Sequence, residues 1–291
     1  MGALMSVAEA AEVLGVVPQR VRERIREGSL AAQRVGSQWV IDAEDVRRLA
    51  HRDRPGRPLS TKSAWDLLAV ADRGPAAERL TSSSRSRARS RLRALLAEVG
   101  RLVDADRDDS LDRAAAVLGR AMGNRAARAC YAASPRDLAD LRADSRLRLS
   151  GVSAPESNIA SGDLAEGYAS EEDADGLADG YLLEPVARDR ANVILHLVSG
   201  DISPDLDLVT PEGGHLNPER ASAWLALAAD LAEHDGARER GEAVRALAVA
   251  SALLHRSGFL VAPAATLDHL NRFHEATADL GDEEVMRGAW S

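Results

Sequence analysis

The chain has 291 residues, of which 45% are hydrophobic but only 3% are aromatic, and its formal net charge is −9. This length allows two or three domains, and a core built mainly from Ala, Leu and Val favours helices over sandwiches or barrels. The single cysteine, Cys130, excludes an internal disulfide framework and a cysteine-rich zinc site.

Charge is spread unevenly along the chain. Residues 1–60 carry a net charge of +2, residues 61–150 carry +6 and residues 151–291 carry −17. This asymmetry indicates that the N-terminal half meets an anion, whereas the acidic half suits a basic protein or simply aids solubility. No signal peptide and no apolar run of membrane-spanning length is visible, so we expect a cytoplasmic protein.

The first stretch with a clear pattern predicts two short helices joined by a turn. Ser6 and Glu9 have the spacing of a capping box. Gly15 suits the end of the first helix, and Pro18 suits the first position of the second. The apolar residues of the first helix follow helical spacing at Val7, Ala10, Ala11 and Leu14.

The second helix has the features of a DNA-recognition helix. Val21 and Ile25 are spaced to pack on the first helix. The outward residues can read base edges, because Arg pairs with guanine, Gln pairs with adenine and Glu accepts from cytosine. These predicted base-reading residues are Gln19, Arg20, Arg22 and Glu23. A merely solvated charged face is the alternative.

A two-stranded wing is predicted next, with alternation in 31–35 and 39–41 around Gly36. Asp42 would then cap a third helix with Val46 and Leu49 facing inward. The residues near the tip of the wing that we expect to contact phosphates or the minor groove are Arg34, Ser37 and Gln38.

This order of elements over residues 5–50 closely resembles the excisionase and MerR-type winged helix-turn-helix family. The resemblance implies a DNA-binding domain at 1–50. One departure is Val17, which occupies the place where the family has a Ser or Thr cap. Loss of such a cap costs roughly 1 kcal/mol.

A basic Pro- and Gly-containing linker (51–63) and a basic helical region (64–145) follow. Helices are predicted at 63–71 and 82–99, and two more helical segments are predicted within 104–133. Alternate residues from Arg85 to Arg93 are arginine, and on a helix they would spread around the cylinder. They form a candidate second phosphate-binding patch, with a solvated helix start as the alternative.

The pattern changes at residue 146, where an acidic α+β domain (146–256) is predicted. Strands are expected around 147–152, 163–170 and 192–198, the last being apolar on both faces and therefore central. Residues 181–183 are expected to be extended. An acidic helix at 171–179 and a helical hairpin (219–234 and 237–255) complete this region. His196 is interpreted as a packed core histidine, and 257–291 as a helical tail of open role.

From Arg57 to about His255 the chain resembles the antitoxin half of the abortive-infection nucleotidyltransferase systems. The resemblance rests on stretches such as G-R-P-L-S-T-K-S-A-W-D-L-L-A, R-L-R-L-S-G-V-S and A-N-V-I-L-H-L-V. It implies repression of the protein's own operon and antagonism of a nucleotidyltransferase-like toxin.

The sequence thus predicts a mainly α protein with an N-terminal winged helix-turn-helix, a helical middle layer, and an α+β C-terminal region with a small sheet and a helical hairpin. We expect a regulator that binds double-stranded DNA as a homodimer or cooperative assembly and does not bind membranes. No catalytic, cofactor or metal-binding set of residues is recognisable, so an enzyme is not expected. The alternatives are an excisionase-like architectural DNA-binding factor and a protein-interaction adaptor.

Overall fold

The structure is a computed structural model that describes residues 4–14, 17–26, 30, 32–35, 38–43, 46, 58–103, 109–159, 161–200, 203–210 and 216–259. The chain divides into two units, Met1–Arg57 and Pro58–Ser291. Both units are built mostly from helices with a small sheet, which confirms the mainly helical class. The predicted tail helix lies outside the described residues.

The first unit places two helices next to an antiparallel sheet. Its elements are β1 (Leu4–Ser6), α1 (Val7–Leu14), α2 (Pro18–Arg26), β2 (Gln33–Val35) and β3 (Gln38–Asp42). The strand order is β1-β3-β2, so the sheet has three strands where two were predicted. The missed strand β1 pairs Met5 with Ile41. A three-residue strand is too short to show alternation in the sequence.

Most of the described helices lie in the second unit. They are α3 (Thr61–Asp72), α4 (Pro75–Glu78), α5 (Ser82–Val103), α6 (Ser110–Met122), α7 (Leu138–Ala143), α8 (Glu171–Gly180), α9 (Ala221–Leu231) and α10 (Ala237–Arg256). The Oγ atom of Ser60 caps α3 by accepting from the Ser63 backbone N–H, so this helix begins before the predicted residue 63. The acidic helix and the helical hairpin are found as predicted.

A five-stranded sheet crosses the second unit. Its strands are β4 (Ala127–Ala132), β5 (Arg148–Leu149), β6 (Ala165–Ser170), β7 (Glu184–Pro185) and β8 (Val193–Val198). Their order is β5-β6-β8-β4-β7, with β6 and β8 parallel and the other neighbours antiparallel. The central position predicted for β8 is confirmed.

The prediction of helix through residue 133 was wrong, because β4 occupies part of that segment. Ala129 pairs with Leu195 in the neighbouring strand β8. The extended conformation predicted for 181–183 was also wrong. Leu182 has a positive φ of 51° in a turn, and strand pairing starts only at Glu184. The strand expected over 147–152 is limited to two residues and is followed by a 3-10 turn.

The sheet is covered on both faces. On one face, α7 and α8 contribute Leu141 and Leu177, which pack against Ala165 and Leu195. On the other face lies the larger helical core, which includes Trp65, Leu92 and Trp224. Helix α9 is buried along its whole length, and it packs between α3, α6 and α10. Its many alanines permit this close approach of neighbouring helices.

Candidate nucleic-acid interface

The start of α1 is fixed by the predicted capping box. The Ser6 backbone N–H donates to Glu9 Oε2 at 2.7 Å, and the Glu9 N–H donates to Ser6 Oγ at 3.3 Å. These hydrogen bonds lower the pKa of Glu9, so its carboxylate stays charged at the helix N-terminus. Val7, Ala10 and Ala11 are buried in the domain core as expected, whereas the side chain of Leu14 lies outside the described residues.

The same core orients α2. Pro18 is its first residue, Val21 is fully buried, and Ile25 packs against the cluster at partial burial. Val17, the departure from the expected cap, is 66% exposed, and its carbonyl accepts from the Arg20 N–H at 2.9 Å. The buried i, i+4 pair therefore determines which face of α2 points outward.

The outward face of α2 carries the predicted base-reading residues. Gln19, Arg20 and Arg22 are exposed, and Glu23 is half-buried. Arg20 and Glu23 form a salt bridge of 2.9 Å on this face. The pair restrains the Arg20 guanidinium and places a carboxylate beside it, so this face can both donate to and accept from base edges.

The small sheet presents a second part of this candidate interface. Arg34 in β2 is exposed, and its Cζ lies 6.0 Å from the centroid of the Trp39 ring in β3, which orients the guanidinium by a cation–π contact. Gln38 begins β3, but its side chain lies outside the described residues, as does Ser37. Val46 is fully buried, as expected for the third helix.

The second unit contains a buried polar network that sequence reasoning did not find. The Arg125 guanidinium is 1% exposed and forms an ion pair with Asp230 of α9, which is fully buried. Tyr168 Oη accepts from Arg125 Nε at 2.6 Å and donates to Asp230 at 2.8 Å. Ser150 Oγ also donates to Asp230. Burial would lower the pKa of Arg125, but the charge of Asp230 raises it above its ordinary value.

A glutamate from β6 extends the network to two histidines. The carboxylate of Glu166 contacts His196 Nε2 at 2.9 Å and His234 Nε2 at 2.8 Å, and it accepts from the Val152 N–H at 3.0 Å. Burial opposes the charge of this carboxylate, but the hydrogen bonds from both histidines outweigh it and lower the pKa of Glu166 below its ordinary 4.5. The prediction that His196 is a packed core residue is confirmed, since it is 2% exposed.

The only sequence signal for this network was a polar residue inside an apolar strand, as with Glu166 and His196. The side-chain pairs described above are 30 to 105 residues apart in sequence, so their contact depends on the tertiary fold. The polar atoms bond one another and hold the sheet against α9. Within the described ranges, no group of three or more His, Cys, Asp or Glu side chains is placed to hold a metal ion.

One comparison with known proteins found a match, and this match lies within the first unit. Residues 4–54 match a family model described as a helix-turn-helix domain. No curated protein matches the chain, and no solved structure matches it either. The match confirms the helix-turn-helix part of the sequence expectation, and such a domain suggests DNA binding. Among the described residues, no helix has the length and apolar character needed to cross a membrane.

Proposed function

We propose that this protein is a sequence-specific DNA-binding transcriptional regulator whose helix-turn-helix domain reads the major groove with α2. The observation that carries the proposal is the exposed face of α2, where Gln19, Arg20 and Arg22 stand out from a helix held by Val21 and Ile25. Arg22 would pair with guanine, and Gln19 with adenine. Glu23 would accept from cytosine while it orients Arg20.

The small sheet would act as a wing that contacts the DNA backbone or the minor groove. Arg34 supports this role, because it is exposed and held over Trp39. Ser37 and Gln38 would contribute neutral hydrogen bonds to phosphates. A domain of this size covers little DNA, so useful affinity requires two copies, either as a homodimer or by cooperative loading on repeated sites.

The biological role we propose is that of an antitoxin-type autorepressor. The resemblance of residues 57–255 to antitoxins of abortive-infection systems supports this role, and so does the net charge of −17 over residues 151–291. An acidic surface suits a basic protein partner better than DNA. The proposed partner is therefore a nucleotidyltransferase-like toxin.

The test is fluorescence-anisotropy titration of the full chain onto its own upstream DNA and onto a scrambled duplex, over a series of salt concentrations. A specific regulator binds the native duplex with a Kd at least about 1000-fold lower than the scrambled one, with a steep salt dependence. Equal affinity for the two duplexes would contradict sequence-specific regulation. A shallow salt slope in addition would favour a protein-interaction adaptor.

Toxin antagonism is tested separately by co-purification of the full chain with the product of the neighbouring gene. The expected result is a stable complex that dissociates at high ionic strength, because screening weakens contacts between exposed charges. No complex at low salt would contradict the antitoxin role while leaving DNA binding intact.

A further inference from the structure

The arginine-rich start of α5 forms a groove that the helix-turn-helix domain does not account for. Ser82, Ser86 and Ser90 alternate along it with Arg85, Arg89 and Arg93, and together these six side chains line a volume of about 490 Å³. As expected, the five arginines do not all line one face, because Arg87 and Arg91 do not line this groove, whereas Arg85, Arg89 and Arg93 share one side. Residues four apart lie on the same side of a helix.

The body of α5 is fixed, which makes the groove a stable feature. Ala88 and Leu92 of the same helix are buried in the main core of the second unit. The four-residue spacing places successive arginines about 6 Å apart along the helix axis. The groove therefore draws its three arginine side chains from about 12 Å of one helix.

The contacts of these arginines orient the guanidinium groups without cancelling their charge. Arg85 donates to the main-chain carbonyls of Ala77, Glu78 and Leu80 at 3.1 to 3.2 Å, and so caps the end of α4. Arg93 donates to the Phe259 carbonyl at 3.0 Å.

The aromatic ring of Phe259 holds two of the three guanidinium groups. The Cζ atoms of Arg89 and Arg93 lie 5.9 and 5.4 Å from the centroid of this ring. Cation–π contacts of this kind preserve the positive charge. Less side-chain entropy is then lost when an anion binds.

The chemistry of this groove selects an extended polyanion. Guanidinium groups and serine hydroxyls are all donors to oxyanions, and three repeats suit a chain of phosphates better than a single ion. We propose that the groove binds the sugar–phosphate backbone of duplex DNA without regard to sequence. This inference rests on the proposed function, because the helix-turn-helix domain would hold DNA at high effective concentration for a second contact in the same chain.

The experiment compares the full-length wild type with Arg89→Gln/Arg93→Gln in anisotropy titrations on native and scrambled duplexes from 50 to 200 mM salt. Arg85 is left intact because it caps α4. The matched control is Arg87→Gln/Arg91→Gln, which removes the same charge from the same helix. These two arginines do not line the groove, and they bond Ser84 and Ser63 at 3.3 and 2.9 Å. Circular dichroism establishes that each variant is folded.

The expected result for the groove variant is a salt slope that is shallower by about 2 on both duplexes, because each lost phosphate contact removes about 0.9. Over this fourfold rise in salt, the variant therefore loses roughly tenfold less affinity than the wild type does. Its preference for the native duplex is retained, and the control keeps the wild-type slope. Equal slopes for the groove variant and the control would overturn the proposal.

Failure of the proposed function gives a different result. A wild type without preference for the native duplex would contradict sequence-specific regulation. A salt slope that is shallower in the groove variant than in the control would still support the phosphate contact. Poly-glutamate is the competing probe. A different outcome is that poly-glutamate binds the wild type and the control more tightly than the groove variant while all three proteins show the same salt slope on DNA. In that case the groove serves an acidic protein segment and the DNA proposal is refuted.

Discussion

Replacement of Arg125 by Met tests whether the buried polar network stabilises the second unit through its charges. The Arg125 side chain is 1% exposed and that of Asp230 is 0% exposed. Without the guanidinium, Asp230 keeps the hydroxyl groups of Tyr168 and Ser150 but loses its cation. Breaking such a pair from one side costs about 3–5 kcal/mol, because the remaining charge stays buried.

Urea denaturation monitored by tryptophan fluorescence measures this loss. Trp65 is a suitable probe, since its Nε1 donates to the Arg125 carbonyl at 2.7 Å in the same core. For a unit of this size the predicted loss lowers Tm by roughly 6–20 °C. The matched control is Arg79→Met, which breaks an ion pair with Asp205. Arg79 is 58% exposed, so we expect a loss of less than about 1 kcal/mol.

A double variant separates charge from packing. In Arg125→Met/Asp230→Asn residue 230 is no longer charged, and Glu233, the other carboxylate that contacts Arg125, keeps its ion pair with Arg128. The loss should therefore be smaller than the sum of the single losses by about 0.5–3 kcal/mol. Additive losses would mean that the side chains contribute through volume alone. Equal losses for Arg125→Met and Arg79→Met would refute the reasoning from burial.

Four further substitutions have expected outcomes. Arg22→Ala weakens binding to the native duplex by about 1–3 kcal/mol in anisotropy titrations; an equal loss on scrambled DNA would show a phosphate contact instead. Ser6→Ala removes one half of the capping box and lowers the stability of the first unit by about 0.5–2 kcal/mol in thermal unfolding, whereas Ser6→Thr should retain most of it. Because the folded pKa of Glu166 lies below 4.5, its contribution to stability is complete above pH 4.5 and is lost as the pH falls further; Tm measured between pH 7 and 3 should therefore fall less in Glu166→Gln than in the wild type, and parallel curves would contradict this. Gly167→Ala places a Cβ 2.4 Å from the Arg148 carbonyl oxygen in the adjacent strand, so β5 must shift; an unchanged unfolding midpoint, as expected for Gly162→Ala in open space, would count against this close contact.

Periodicity predicted the elements whose pattern repeats over many residues. Such patterns are found in α5, α8, the hairpin of α9 and α10, and the central strand β8. Strand β4 was missed because A-R-A-C-Y-A is rich in residues that favour helices. Pairing with β8 on one side and β7 on the other outweighs this local preference.

The sequence predicted which residues of the candidate interface are exposed, but it did not predict the contacts between them. The spacing of Val21 and Ile25 identified the outward face of α2, and the structure places Gln19, Arg20 and Arg22 there. The i, i+3 spacing of Arg20 and Glu23 permits a salt bridge between them, but whether it forms depends on their side-chain rotamers, which the sequence does not give. The ion pair of Arg125 and Asp230 could not be predicted, since it joins residues 105 apart in sequence.

The order of strands in the second sheet limits how the chain can be divided in the laboratory. A cut near residue 146, where the composition changes, would separate β4 from β8 and Arg125 from Asp230. Each fragment would expose an unpaired strand edge and a lone buried charge, and it would be prone to aggregate. The partner of the acidic region is therefore better sought by point substitutions on the intact chain than by deletion mapping.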